Sequence, residues 1–557
     1  MTPESSKQLL AYSPMLHSRM FHETPKYRAS NFEALKTPLP SPLDVPATPN
    51  SASDLYLDGN PAIDRPLFVQ FCTNTPTDFL SAARYVAPFC DAVDLNLGCP
   101  QGIAKRGKYG AFLQEDWDLI FSLINTLHKE LPVPVTAKIR IQSSREKTLE
   151  YAKMVLRAGA SILTVHGRQR EQKGHNTGLA DWSMIRYLRE NLPPETVIFA
   201  NGNILQHEDI EDCLRETGAD AVMSAEGNLY DPSIFAEPPP VGQEGREYWR
   251  GRDGKGGYRM DASLRRYMDI LYKHVLQQEP PARKPLFIPS DPVEPESVQP
   301  ATNGHDQHAS ATTTTPAATA PTQEFAHPVP TKKRKRAEMK EQSKGQKKPK
   351  LDGPISVNLR VVQAHLFHML RPLVAKHTHI RDALARCRAG DIAAFENVLQ
   401  LTEQAVKQGL IDYANGFDDG MLEEKPKKKN GETNGDAKTN GTTSEGEQKL
   451  AEAEADVTLS STAAVLRCRR PWWIMQPYVR PLPQEAFEIG AMTLSKKEKE
   501  RLAKENSMTK EAGLQPEGRV EEQAVGSGDA VNGTAANGGG EKEEPKVVLA
   551  RDGLVCG

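Results

Sequence analysis

DLNLGCPQGIAKRGKYGAFL, residues 94–113, begins inside an apolar run, Ala92–Cys99, and closes that run on Asn96-Leu97-Gly98-Cys99-Pro100. Runs of the same kind flank it. Upstream lie Leu9–Ser13 and Pro66–Cys72; downstream lie Val133–Ile141, Ala160–Gly167, Thr196–Ile204 and Ala221–Gly227. Several are continuous stretches of Val, Ile, Leu and Phe, the composition of parallel strands covered on both faces. Most are spaced by about 25–40 residues, which leaves room for one helix each. Trp117–Lys129, Thr148–Ala158, Trp182–Asn191 and Asp209–Thr217 fill those gaps with helical periodicity, and a Pro/Ser-rich loop, Thr37–Ala62, follows the first run. Repeated βα units of this length predict an α/β fold with a parallel sheet, either a barrel or doubly wound.

In a barrel the chemistry sits at the C-terminal ends of the strands. Here those ends carry Gln70, then Asn96 to Pro100, then Lys138 and Arg140, then His166-Gly167-Arg168, then Asn201-Gly202-Asn203, and last Ser224-Ala225-Glu226-Gly227. A single strand-end Gln or His is more often a satisfied structural residue than a ligand. Six polar ends in succession converge on one mouth. Barrels commonly hold a phosphate at the loops after the last two strands. There Gly202 lets backbone approach closely, and the N–H groups of Asn201–Asn203 and Ala225–Glu226 can donate.

The rest of the chain differs in composition. Only 38% of the 557 residues are hydrophobic, so part of the length cannot enter a core. We expect the barrel over 1–235, a helical domain in two pieces at 236–279 and 355–417, a disordered basic insertion at 280–354, and a disordered linker at 418–456. A compact motif at 457–485 and a mostly disordered tail at 486–557 follow. The helical pieces read as Ala262–Gln278, Leu359–Lys376 and His379–Gln408, with a basic bias from His365, Arg371, Lys376, Arg381, Arg386 and Arg388. The run Lys332–Lys350 holds ten basic residues against two acidic ones. It could be a nuclear localisation signal, a non-specific RNA arm or a solubilising stretch. In RCRRPWWIMQPYVRP, residues 467–481, Trp472, Trp473 and Tyr478 should pack back onto the folded domains, with base stacking as the alternative.

Several classes are disfavoured. No basic start precedes an apolar run, so no signal peptide is expected. No stretch approaches eighteen apolar residues, which argues against a membrane partner. The seven Cys, at 72, 90, 99, 213, 387, 468 and 556, form no CxxC pair. That spacing fits neither a disulfide framework nor a Cys-based zinc site, and we expect no metal and a reducing intracellular compartment.

DLNLGCPQGIAKRGKYGAFL, TAKIR, LTVHGRQREQKG, FANGNI and VMSAEGNL together resemble the tRNA-dihydrouridine synthase family, most closely the eukaryotic branch acting on D-loop uridines 16 and 17. The resemblance covers about residues 9–240, more loosely the helical region, and neither the insertion nor the tail. It implies a TIM-type (β/α)8 barrel with a C-terminal helical domain, FMN as cofactor, NADPH as reductant and tRNA as partner. It also implies an FMN-dependent oxidoreductase acting on the 5,6 double bond of uracil. The Cys of the GCP motif, Cys99 here, would donate the proton. A thiol is a fitting acid near neutrality, with an ordinary pKa of about 8.5, provided its surroundings do not favour thiolate. The alternative for Cys99 is a buried structural thiol, which is also the reading for Cys72 and Cys90.

Gln70, Lys138 and His166 match the family's flavin-ring and ribityl contacts, and Lys138 suits a cation beside an anionic reduced flavin. Asn96 would touch flavin or substrate. The bacterial pattern often has Gly-Arg where this chain has Ala225-Glu226, so more of the phosphate binding falls to backbone donors of Asn201, Gly202, Asn203, Ala225 and Glu226. Lys105, Arg106, Lys108, Arg168, Arg170 and Lys173 are candidates for RNA phosphates, or an ordinary solvated rim. Two other readings stay open: an FMN barrel oxidoreductase acting on a small molecule, and an inactive tRNA-binding protein. A monomer in the nucleus, the cytoplasm or both is the expectation.

Only seven strand candidates are present, and a closed barrel of this type has eight. The opening MTPESSKQLLAYSPMLHSRMF resembles the family's second unit, around Tyr12, Pro14 and Met15. The first strand would then be missing, through a truncated gene model or alternative start. Edges near Leu9–Ser13 and Ala221–Gly227 would lie unpaired, with poor FMN binding and a tendency to aggregate.

Overall fold

The computed structural model describes residues 9–37, 55–292, 356–421 and 461–488. Eight parallel strands form one curled sheet: β1 (Ala11–Tyr12), β2 (Leu16–His17), β3 (Leu67–Cys72), β4 (Ala92–Asn96), β5 (Val135–Arg140), β6 (Ile162–His166), β7 (Val197–Asn201) and β8 (Ala221–Met223). β1 and β2 both pair with β3, Ala11 opposite Leu67 and Leu16 opposite Phe71, so they share one position. The expected first strand is therefore two short pieces broken at Ser13-Pro14-Met15. The sheet runs in order from β1 to β8, and among the described residues no strand joins those two ends.

The connecting helices lie where the periodicity places them, at Trp117–Glu130, Arg145–Arg157, Trp182–Asn191 and Glu208–Thr217, with Pro76–Val86 after β3. Three begin on side-chain caps, Asp116 accepting from Leu119 N, Ser144 from Lys147 N and Asp181 from Met184 N. Such caps satisfy backbone donors that have no partner inside the helix. Their apolar faces cover the odd-numbered strand residues, among them Val69, Phe71, Val93, Leu95, Ala137, Ile139, Leu163 and Val165, in one buried core. Toward the C-terminal ends of the same strands the even-numbered residues are polar and buried, among them Asp94, Thr136, Lys138, Arg140, Thr164 and His166, while Phe68 and Ala92 near the strand starts are apolar. Strand side chains alternate in direction, so the inner face of the barrel is polar while the helix-facing side is dry.

A second core holds the helical domain. It gathers Met260–Ile270, Val362–Met369, Arg371–Lys376, Thr378–Arg386 and Ile392–Ala414, together with Trp472, Trp473, Ile474 and Met475. The two tryptophans pack inside, as expected. The helices anticipated as Leu359–Lys376 and His379–Gln408 are each divided, the second at Gly390, which takes a φ of +81° that suits glycine. A hairpin of β9 (Tyr248–Arg250) and β10 (Gly256–Tyr258), unforeseen from the sequence, receives the C-terminal motif along its edge through Met475 N to Tyr258 O, 2.9 Å.

Two expected boundaries are corrected. Residues 280–292 are packed: Arg283 pairs with Glu396 at 2.8 Å and Leu286 is buried. Residues 418–421 fold back, Asp418 onto Lys376 and Gly420 against the Trp473 ring. The remainder of the expected insertion and linker, and the tail beyond residue 488, lie outside the described residues. No described helix is long and apolar enough to cross a membrane.

Gly409 lies inside the helix Ile392–Ala414, where alanine would ordinarily add about 1 kcal/mol of helix preference. Here an added Cβ would stand 2.7 Å from Trp472 Cζ2 and 2.8 Å from Trp473 Cε3. Buried rings cannot swing aside, so Gly409→Ala should lower stability by about 1–3 kcal/mol. Urea denaturation measures this, and a gain in stability would contradict the packing of the tryptophan pair.

Candidate active site

The parallel register brings the polar strand ends into rows. Gln70 stands opposite Asp94 and Asp94 opposite Thr136. Nearer the mouth, Asn96 stands opposite Lys138, and Arg140, His166 and Asn201 align across three strands. The side chains of the first row then bond. Asp94 accepts from Thr136 Oγ1 at 2.6 Å and from Gln70 Nε2 at 2.8 Å. That fixes the Gln70 amide so that its oxygen accepts from Asn96 Nδ2 at 2.7 Å. Asn96 Oδ1 in turn accepts from Gly98 N at 3.0 Å and Cys99 N at 2.9 Å. One chain of bonds therefore runs from a fully buried carboxylate to the turn that carries the thiol. Burial pushes the Asp94 carboxyl upward, against the two hydrogen bonds and the Lys138 charge.

The Cys99 turn is clamped from other sides. Arg140 Nε donates to Gly98 O at 2.6 Å, and Ala111 N to Cys99 O at 3.1 Å. Gly110 has a φ of +64°, and a Cβ there would stand 2.9 Å from Cys99 O, so only glycine fits. Cys99 is 1% exposed and clusters with Cys72, Ala104 and Tyr109, with Met15 and Phe112 against them. The six described cysteines are thiols, none in a disulfide. Burial pushes the neighbouring Cys72 thiol well up.

On the other side of the mouth His166 is buried. Its Nε2 lies 3.0 Å from Arg168 Nη1, and its Nδ1 has no partner among the described residues. Burial, then the charges of Lys138, Arg140 and Arg168, hold its pKa well below the ordinary value, so the ring is neutral. Asn201 Nδ2 donates to Met223 O at 2.9 Å, while its Oδ1, also buried, has no partner among the described residues. Gly202, at φ +113°, lies so close to the His166 ring that a Cβ would stand 3.2 Å from its Cδ2. Asn203, at φ +64°, turns the chain beneath Arg168 and bonds Ala180 through both ends of its amide, at 3.1 and 3.2 Å. Orphaned buried polar atoms beside a glycine cradle are what a polar ligand would satisfy.

Several candidates stand elsewhere than the sequence suggests. Arg168 is turned inward, donating to Gly178 O at 2.9 Å and Asn203 Oδ1 at 2.8 Å, and burial lowers its pKa to about 10. It lines the mouth and is not a rim contact. Arg170 is bound to Glu115 at 2.6 Å and Glu171 at 3.1 Å, and Lys173 Nζ donates to Pro100 O at 2.9 Å. Both hold the Cys99 loop in place. Lys105 and Arg106 lie exposed on the short helix Gly102–Gly107 just beyond Cys99. β8 ends at Met223, so Ala225 caps a short helix, Glu226–Tyr230, that Glu226 opens. The Glu226 carboxylate is taken by Arg480, at 2.5 and 3.2 Å. Asp94 went unassigned in the sequence; its signal was a charged residue amid the apolar run Ala92–Cys99. Arg480 gave none.

Residues 1–247 match the family model described as dihydrouridine synthase (Dus). Over 226 residues the chain is 60% identical to tRNA-dihydrouridine(16/17) synthase [NAD(P)(+)] of Saccharomyces cerevisiae, covering 41% of this chain and 48% of the yeast protein. The Schizosaccharomyces pombe protein of the same name is 56% identical over 229 residues, 41% of this chain and 51% of that one. A Rattus norvegicus tRNA-dihydrouridine(16/17) synthase [NAD(P)(+)]-like protein is 46% identical over 242 residues, covering 43% and 49%. The chain thus spans about half the length of these curated relatives.

The neutral His166 has a consequence for pH. Unfolded, the imidazole takes up a proton near its ordinary 6.5; folded, only well below that. Below about pH 6.5 the unfolded state binds more protons, so this residue removes up to about 1.4 kcal/mol of stability per pH unit as pH falls. His166→Gln should therefore lose stability less steeply below pH 6.5 than the parent chain in denaturation series of the ligand-free protein. Equal slopes would show that the ring protonates freely in the folded state.

Proposed function

We propose that this chain reduces the 5,6 double bond of uridine in the D-loop of tRNA, with FMN as cofactor and NADPH as reductant, a reading supported by the match of residues 1–247 to the dihydrouridine synthase family model. The observation that carries the reading is the bonded chain from Asp94 through Gln70 and Asn96 to the Cys99 turn. It presents one thiol, in fixed register, beside a mouth whose other wall is short of partners.

The residues fit a flavin mononucleotide. Gln70, Asn96, Lys138 and His166 would hold the ring and ribityl chain, the last through its orphaned Nδ1. Backbone donors of Asn201, Gly202, Asn203, Ala225 and Glu226 would face the phosphate. Bound and reduced, FMN would supply a hydride to one carbon of the double bond. Cys99 gives its proton to the other carbon, becomes thiolate and regains a proton from solvent. The thiol packs among Cys72, Ala104 and Tyr109, away from water. Lys138 places a fixed positive charge at the mouth, where electron density accumulates on the cofactor. A uridine stacked in folded tRNA must be extruded to reach this depth. The exposed Lys105 and Arg106, next to the Cys99 turn, are placed to meet the phosphates that flank it.

Localisation belongs to the same reading: nucleus, cytoplasm or both, with Lys332–Lys350 as a nuclear signal. That run lies outside the described residues. Its deletion should move a tagged chain toward the cytoplasm without changing activity in vitro. Unchanged nuclear fluorescence would end that assignment.

Cys99→Ala should retain flavin and its reduction by NADPH while losing turnover on tRNA by about 10²–10⁴-fold, since only proton delivery is removed. The measurement is mass-spectrometric mapping of dihydrouridine in tRNA incubated with each protein. Full turnover by the mutant would remove Cys99 from its role; a parent chain that leaves tRNA unchanged and binds no flavin would remove the function.

A further inference from the structure

The segment from Arg467 to Glu488 lies outside the stretch that matches the family model, yet it reaches the mouth of the barrel. Its anchor is the second core, where Trp472, Trp473, Ile474 and Met475 are buried. Met260 N donates to Trp473 O at 2.8 Å, and Arg467 Nη1 to Asp209 Oδ1 at 2.7 Å. From there the chain crosses toward the strand ends. Tyr478 packs on the ring of Tyr230, centroids 5.8 Å apart, and the Arg371 guanidinium lies 3.8 Å from the Tyr478 ring centre. Arg480 then grips Glu226, in the loop after β8, through Nε and Nη2. The helix Pro483–Glu488 ends against the turn Gly174–Asn176, in the loop after β6.

The charges at that end of the mouth do not balance without a ligand. Arg168 is half-buried, its hydrogen-bond partners are Gly178 O, Asn203 Oδ1 and His166 Nε2, and the carboxylate that acts on it, Glu226, is already taken by Arg480. Two guanidinium groups, Arg168 and Arg480, thus share the single carboxylate of Glu226, and the surplus positive charge suits an anion. Glu226 alone, at the turn after β8, would repel one. Arg480 neutralises Glu226 with two of its nitrogens and keeps Nη1 without a hydrogen bond among the described residues. The guanidinium fork suits such sharing, because its five donors spread over three nitrogens.

We propose that the C-terminal segment is a strap completing the phosphate end of the flavin site, with Arg480 supplying the cation that position 226 lacks. This rests on the flavin reading above and adds to it a binding residue from outside the barrel. The ligand chemistry is a phosphate monoester at the end of the ribityl chain. Tyr478, Tyr230 and Arg371 are positioning residues that hold the strap so that Arg480 stays over Glu226.

The test is titration of the flavin-free full chain with FMN and with riboflavin, which differ only in the phosphate, followed by flavin fluorescence. Melting temperatures taken in parallel report folding. Arg480→Ala should weaken FMN about tenfold and leave riboflavin unchanged. Arg480→Lys should restore part of the loss, and so should Glu226→Gln in the Arg480→Ala background, by removing the exposed acid. Equal weakening of both flavins would overturn the proposal and make the strap a purely structural clasp. Unchanged FMN affinity with weakened tRNA binding would overturn it too, assigning Arg480 to an RNA phosphate. If the parent chain binds neither flavin, the flavin reading itself falls and this inference with it.

Discussion

A carboxylate buried in the middle of a barrel is the constraint on which the mouth depends. Asp94 is completely enclosed, and an isolated charge there would cost many kcal/mol. It is tolerated because Thr136 and Gln70 donate to its two oxygens and Lys138 stands near. Hydrogen bonds to a charged group contribute about 1.5–3 kcal/mol each. The same bonds that make the acid tolerable remove all freedom from its donors. Gln70 cannot rotate without abandoning Asp94, Asn96 cannot rotate without abandoning Gln70, and the Gly98–Cys99 turn hangs from Asn96. Stability and placement of the thiol are thus one network.

That network exists because the strands are two-faced. Odd-numbered residues of β3 to β6 face the helices and supply the apolar core, so the even-numbered positions are released from that duty. They carry Gln70, Asp94, Asn96, Thr136, Lys138, Arg140, Thr164 and His166, and the first four bond one another across neighbouring strands. The arrangement leaves more fixed positive than negative charge toward β6 and β7. His166 stays neutral through its burial first and these charges second, and Arg168 shares the one nearby acid, Glu226, with Arg480. A dry, rigid shell around a positively biased polar interior is a setting in which an anionic cofactor compensates the charge of its own site.

The alternation of strand and helix was legible in the sequence because parallel strands and amphipathic helices follow local periodicities. The residues of the mouth were legible as polar ends of apolar runs, and Trp472 and Trp473 as large apolar residues that had to be buried somewhere. What was illegible depended on contacts distant in sequence. Arg168 reads as one more basic loop residue until Asn203 and Gly178 fold over it. Arg480 is 254 positions from Glu226, and no spacing rule connects them. Residues 280–292 are Pro-rich like the run that follows, and it is distant contacts, Arg283 with Glu396, Arg259 with Phe287 O and Arg246 with Asp291, that draw them onto the helical domain. β2 escaped notice because two residues after a Pro carry no period.

The Cys99 thiol poses the remaining physical problem. It is fixed in place from the barrel side and 1% exposed, so a base can reach it only if something on the outer side gives way. The bonds that fix it from within are buried: Asn96 to Cys99 N, Arg140 to Gly98 O. Those that tie the neighbouring loop after β6 to the Cys99 turn are of another kind. Arg170 is held by Glu115 and Glu171, both largely exposed, and Lys173 by a single carbonyl at Pro100. Exposed ion pairs contribute about 0–1 kcal/mol each, while buried hydrogen-bonded chains resist rearrangement. The side chains packed on the thiol itself are Cys72, Ala104, Tyr109, Met15 and Phe112, and the contacts of Arg170 and Lys173 that tie the neighbouring loop to them are the ones that break at least cost.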